Sequence, residues 1–206
     1  MPKKTKEESM KTRDRLLEAA LDVFSEKSFS DVTLSEVAER VGLTKGALYW
    51  HFENKNDLFM KLIEEICLDS EREFAEKFGE PVTIIDLKNY YKRKLLLLHK
   101  DERFMKIYAI MLRRFEWPEE VRANIFLIMR GMIKKEKTMI KNILFKSQQN
   151  GIIRQDIEVE DVAEAIASVF HGLFILVVNE IVTDDISKCT DFICDAFGKE
   201  LLYNEN

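Results

Sequence analysis

Apolar residues return every three to four positions through almost the whole chain, the spacing of helices that bury one face. Leu16, Leu17, Ala20, Leu21 and Phe24 set this period first and predict a helix from about Ser9 to Lys27. The stretch "SFSDV" breaks it. Thr33-Leu34-Ser35-Glu36 then reads as a capping box, a hydroxyl that accepts a backbone N–H with a glutamate three residues on to reach back. It opens a short helix with Leu34, Val37, Ala38 and Val41 inward, which Gly42 ends because a left-handed backbone costs glycine little. Thr44 is placed to cap a third helix, over Lys45–Phe52. Asn54 is placed to cap a fourth, through Leu58, Leu62 and Ile66 to about Phe78. The first 55 or so residues thus read as helix, short helix, tight turn and short helix, and the turn "RVGLTKG" has helix-turn-helix length.

Beyond "GEPVT" the helices lengthen, and the period predicts them at roughly 83–99, 102–115, 118–149, 159–181 and 187–203. Pro118 suits a first helical turn and Asn150-Gly151 a helix end. No segment alternates with the period of a strand, and no repeat or low-complexity tract interrupts the pattern. The expected fold is all-α. An N-terminal three-helix helix-turn-helix domain, residues 1–55, is joined by a long fourth helix to a helical domain over residues 56–206.

Composition agrees: 46% hydrophobic and 33% charged residues with only 7 Gly and 3 Pro is the balance of a soluble helical protein. The net charge of −5 gives no global sign of nucleic-acid binding, so any basic surface must be local. Two places qualify. In the N-terminal arm Lys3, Lys4, Lys6, Lys11, Arg13 and Arg15 outnumber Glu7, Glu8 and Asp14. Around the third helix Arg40, Lys45, Lys55 and Lys61 outnumber Glu53 and Asp57. The arm is either an extra reach into DNA or a solvated terminus. Cys67, Cys189 and Cys194 have no metal-ligand spacing and are expected to be reduced thiols of a cytoplasmic protein. The start "MPKKTKEESMKTR" lacks the apolar core of a signal peptide, and Ala165–Val178 falls short of the roughly 20 apolar residues that cross a bilayer, so no membrane partner is expected.

The candidate chemistry concentrates in "LTKGALYWHFENKNDLF", residues 43–59. Leu48 and Phe52, four apart, form one inward face. Lys45, Gly46, Tyr49 and Trp50 are left on other faces, with His51 flanking. A short helix that exposes a lysine, a glycine and aromatics with hydrogen-bonding tips suits a groove lined by phosphates, because Tyr and His bond phosphate oxygens and Gly46 permits close approach. Catalysis is not expected. The G-x-S-x-G, HExxH, CxxC and phosphate-loop patterns are missing, and His51, His99 and His171 lie far apart, so neither a cofactor nor a metal is implied.

"TRDRLLEAALDVFSEKSFSDVTLSEVAERVGLTKGALYWHFENKNDLF" resembles the N-terminal DNA-binding domain of TetR-family transcriptional repressors, and "GALYWHFENKNDLF" is most similar to the AcrR and TtgR type that controls multidrug efflux pumps. The resemblance implies a homodimer that binds double-stranded palindromic operator DNA and leaves it when a small apolar or cationic effector binds. By motif position, Thr44, Lys45, Gly46, Ala47, Tyr49, Trp50 and His51 would lie at the DNA, Lys55 would meet a phosphate, and Thr33 and Ser35 would meet backbone. Tyr49 and His51 would give affinity, while Thr44, Lys45, Ala47 and Trp50 would read bases.

In the second domain, the helix from Leu173 to Val178 is apolar all round and must be covered on two sides. With the stripe of "TDFICDAFGKELL" it predicts a dimer interface of two helices per chain, using Leu173, Val177, Phe192, Ile193, Phe197 and Leu201. The resemblance further implies an effector pocket along the fourth, sixth and eighth helices, for which Ile66, Cys67, Ser70, Tyr108, Leu112, Phe170, His171 and Phe174 are the candidates. His171 is open to two roles, ligand-facing or bonded within the core or interface. An alternative function is a DNA-binding regulator without a small-molecule effector, answering to a protein partner.

Overall fold

Side-chain caps start the early helices where the sequence places them. In the computed structural model, which describes residues 6–98, 101–178, 181 and 185–202, the helices are α1 (Lys6–Glu26), α2 (Leu34–Arg40), α3 (Lys45–Tyr49), α4 (Lys55–Phe78), α5 (Ile84–Leu98), α6 (Glu102–Leu112), α7 (Glu119–Gln149), α8 (Val159–Val178) and α9 (Ile186–Leu201). Thr33 Oγ1 accepts the Glu36 N–H, Thr44 Oγ1 the Ala47 N–H, and Asn54 Oδ1 the Asp57 N–H, at 3.2, 3.2 and 2.9 Å. Each satisfies one of the N–H groups that a helix start leaves without an intrahelical partner. The box expected at Thr33 is half used, because Glu36 turns to the Lys27 ammonium instead of the cap backbone. Gly42, with φ of +70°, ends the α2 region in the left-handed conformation that its sequence position suggests.

Contacts gather the chain into two compact units. The first holds residues 1–71 and 102–128, the second residues 72–101 and 129–206, so the boundaries fall inside α4 and α7. In the first unit, α1 packs on α2 and on α6, and α2 packs on α3. Its core runs from Leu16, Ala20, Val23 and Phe24 of α1 through Val37 and Ala38 of α2 to Leu48, Phe52, Leu58, Phe59, Leu62 and Ile63. Phe59 lies against the rings of Phe24, Phe29 and Trp117 at 4.7, 5.0 and 5.2 Å between centroids.

The helix expected over 102–115 is shorter than its apolar pattern. α6 stops at Leu112, and a single 3₁₀ turn over Arg114–Glu116 follows. At the break, the Arg113 guanidinium donates to the Ser25 and Lys27 carbonyls, at 2.8 and 2.7 Å, at the C-terminal end of α1. Arg103 and Lys106 of α6 pair with Glu18 and Asp22 of α1. In the second unit, α9 and α8 pack on α5. Lys88 and Lys92 of α5 meet Asp195 and Asp191 of α9, each at 2.8 Å. Among the described residues no helix is long and apolar enough to cross a membrane.

Candidate functional site

The helix-turn-helix builds one surface from residues that its core cannot use. Leu48 is fully buried and Phe52 nearly so, and together they fix α3 against the first unit. The helix periodicity then turns Tyr49 outward, 48% exposed, and Trp50 at the end of the helix is 88% exposed. An indole that exposed gains nothing from the protein's own packing, which is how residues at a binding surface differ from core aromatics. α3 is shorter than the stretch expected from the sequence, and Trp50 and His51 occupy the turn that follows it.

Thr33, Thr44, Lys45 and Gly46 are exposed on the same part of the domain, and Ser35, Ala47 and His51 are half-buried. The Lys45 ammonium sits 5.7 Å from the Tyr49 ring centroid, a cation–π contact that holds the two side chains together. Among the described residues Lys45 has no acidic partner. Other cations of the region are engaged: Arg40 meets both carboxylate oxygens of Glu26, Lys61 pairs with Asp57, and Arg13 with Glu65. Lys3 and Lys4 of the basic arm lie outside the described residues.

Lys55, expected at a phosphate, is bonded within the chain. Its ammonium donates to the carbonyls of Phe29, Ser30 and Val32, at 2.8, 3.1 and 3.0 Å, and lies 4.8 Å from the Phe29 ring centroid. Desolvation by these neighbours pulls its pKa down, against the pull of Asp31.

Gly46 is informative because the protein itself does not require it. Its backbone is helical, and a Cβ added there would touch only Thr44 Oγ1, at an ordinary 3.8 Å. Gly46→Ala should therefore raise stability by about 0.5–1 kcal/mol through helix propensity. If DNA approaches the α3 backbone, the same change should weaken binding. Thermal melting and duplex titration on one sample would read the two effects, and improved binding would remove α3 from the contact.

The effector candidates divide between the units. In the first, Ile66 is buried in the core, Cys67 is half-buried, Leu112 is exposed, and the side chains of Ser70 and Tyr108 lie outside the described residues. In the second, Phe170 is buried with its ring stacked on Tyr91, 3.8 Å between centroids and 3° from parallel. His171 has a 40% exposed side chain: Nδ1 donates to the Ala167 carbonyl at 2.9 Å, and Nε2 faces Glu136 Oε2 at 3.6 Å. Phe174 is half-buried.

Glu136 of α7 is the residue that sequence reasoning missed. Its carboxylate accepts from the Tyr91 hydroxyl at 3.0 Å, meets the Lys94 ammonium at 3.4 Å, and faces His171. Burial, with the adjacent carboxylate, keeps the Tyr91 phenol protonated. Burial works against the Lys94 charge, but Glu136 and Tyr90 outweigh it and the Lys94 pKa is raised. The only available signal was a glutamate in a helix that carries many other charges. The three cysteines are not joined in disulfides, and burial pushes the Cys194 thiol up to about 11, away from reactivity.

Of the residues expected at a dimer interface, Leu173, Val177 and Leu201 are buried within the chain's own fold, at 8%, 1% and 4% exposure. Ile193 and Phe197 are half-buried. Phe192, 77% exposed, is the member left at the surface, and Val169 and Leu176 of α8 are exposed with it.

A helix-turn-helix with an outward aromatic helix, on an all-α chain, defines a DNA-binding regulator. The N-terminal domain description "Bacterial regulatory proteins, tetR family" matches residues 16–62. The chain is 40% identical over 89 residues to the transcriptional regulator AcrR of Shigella flexneri, a match spanning 41% of each protein. It is 32% identical to the transcriptional repressor BepR of Brucella suis over 149 residues, 64% of this chain and 69% of that one. The chain belongs to the TetR family of bacterial regulatory proteins, whose members are DNA-binding regulators and not enzymes. Solved structures share its fold. NalD, the secondary repressor of the MexAB-OprM multidrug efflux pump in Pseudomonas aeruginosa, superposes with a TM-score of 0.75 at 23% identity, over 96% of this chain and 99% of that one. A complex of SmeT, from Stenotrophomonas maltophilia, with triclosan also gives 0.75, at 22% identity, over 94% and 93%.

Proposed function

We propose that the chain is a ligand-responsive transcriptional repressor that binds a palindromic operator as a homodimer and is released by a small apolar or cationic effector. The observation that carries the DNA reading is the outward Tyr49 of α3 and Trp50 of the turn after it, flanked by the buried Leu48 and Phe52. The exposed Val169, Leu176 and Phe192 on α8 and α9 support a second copy of the chain as partner. Control of an efflux transporter is supported by the relatives: NalD is described as a repressor of a multidrug pump, and SmeT, another pump repressor, is bound to triclosan. Two recognition helices in a dimer must match the groove spacing of DNA, so an effector that favours a different spacing lowers affinity.

Duplex binding measured with and without compound tests this directly. A panel of lipophilic cations, antibiotics and fatty acyl compounds, screened first by thermal shift, supplies the ligands. No stabilisation by any of them argues for the partner-protein alternative, and equal duplex affinity with and without a bound compound sinks the release mechanism. Within that panel, Glu136→Gln should weaken about tenfold a cationic compound that binds against the Glu136 carboxylate, through loss of one charge partner. Neutral compounds and effector-free duplex binding should be unchanged. Isothermal titration reads the difference.

A further inference from the structure

We propose that Lys55 is a positioning residue, a clasp that closes the helix-turn-helix on itself, and not a phosphate ligand. The argument begins with valence. A lysine ammonium has three N–H donors and a fourth bond to its own carbon. The Lys55 donors are all taken, by the carbonyls of Phe29, Ser30 and Val32 at 2.8–3.1 Å. No N–H is left to give a phosphate oxygen unless one of these is surrendered.

The acceptors matter as much as the donor. Phe29 and Val32 are buried, 6% and 1% exposed, and among the described residues no backbone N–H is bonded to any of the three carbonyls. Without the ammonium the Phe29 and Val32 carbonyls, part-buried beside the core, would lose the one protein donor they have among the described residues, a costly change, while the exposed Ser30 carbonyl could turn to water. Position gives the clasp its consequence. Lys55 opens α4 directly after α3 and its turn, and the acceptors lie 23 to 26 residues earlier, ending one residue before Thr33, the cap of α2. The bonds therefore close a loop that contains α2, the tight turn and α3. The Phe29 ring under the ammonium ties the same loop to Phe24 and Phe59.

The consequence for DNA rests on the DNA-binding reading above, and the clasp itself does not, so the test separates them. Lys55→Arg is decisive because it keeps the charge. A guanidinium serves a phosphate at least as well as an ammonium, but its planar fork cannot direct three bonds to converging carbonyls. The full chain would be compared with Lys55→Arg and Lys55→Met by thermal melting and by titration of a duplex selected by the wild-type protein from a random pool, over a range of salt. The clasp predicts that Lys55→Arg melts lower than wild type and binds the duplex at least tenfold more weakly, with an unchanged slope of log affinity against log salt. Wild-type affinity and melting in Lys55→Arg would overturn it. So would a slope lowered by about 0.9 per protomer in a normally melting Lys55→Met, the signature of a lost phosphate contact.

If neither variant folds, the wild-type chain still decides. An ammonium held by three carbonyls is protected from exchange with water, so the Lys55 ¹⁵Nζ–H signal should be visible in the free protein and unchanged on adding duplex. No such signal in the free protein, or a shift on binding, overturns the clasp. Failure of the wild-type chain to select any duplex would sink the DNA reading while leaving the melting and ¹⁵N results to judge the clasp.

Discussion

Phe59→Ala should cost the first unit about 3–5 kcal/mol of stability, the usual effect of emptying a fully buried phenylalanine site. Phe59 has no exposed surface, and its ring meets those of Phe24, Phe29 and Trp117 edge-on, at interplanar angles of 60°, 78° and 73°. Edge-to-face pairs of this kind add to simple area burial. The three partners come from α1, the turn after it and the segment before α7, so one cavity loosens three connections at once. Domains of this size are stable by about 5–15 kcal/mol, so the loss is a large share of the total. Urea unfolding followed by near-ultraviolet circular dichroism would measure it. Phe126→Ala is the control: Phe126 is 63% exposed and its loss should change stability by no more than about 0.5 kcal/mol. Equal effects at the two positions would mean that the core does not centre on Phe59.

On the recognition surface the expected effect is on binding, with stability untouched. Tyr49→Phe removes one hydroxyl from a 48% exposed ring and leaves the fold alone. Loss of a hydrogen bond to a phosphate should cost about 1.5–3 kcal/mol per half-site, uniformly across duplex sequences, because phosphates carry no base identity. Lys45→Ala should instead change which base pair is preferred at one position of each half-site, by about 1–3 kcal/mol, if its ammonium reaches a guanine edge. Selection of duplexes from a random pool by each variant distinguishes the two. An unchanged preference for Lys45→Ala, with a reduced salt slope, would reassign that lysine to the backbone.

The helix-turn-helix was legible in the chain because its signals are local. Thr33, Thr44 and Asn54 cap from three residues away, and Leu48 and Phe52 share a face whatever else the protein does. The sixth helix shows the limit. Its apolar stripe announced a buried face but not which helix would cover it, nor that Arg113 would leave the helix to bond carbonyls 86 and 88 residues away in sequence. Glu136, Tyr91 and Lys94 were invisible for the same reason, since their meeting is a property of how α5 and α7 are placed.

Two assignments turned on the same distinction. An all-apolar helix end says that both sides are covered, and it cannot say which side faces the chain's own α5. Leu173 and Val177 proved to be the inner side, leaving Val169, Leu176 and Phe192 outward. For Lys55, position in the motif suggested a phosphate, and the three carbonyls that its ammonium meets in the turn after α1 are the ground on which we propose a clasp instead. Periodicity, caps and the aromatic motif determined the class of fold, the helix starts and the outward surface of α3, because those depend on residues within one or two turns of each other. Which faces met, which charges were spent and which apolar residues stayed exposed were decided only by tertiary structure, since each depends on partners that the chain brings from far away.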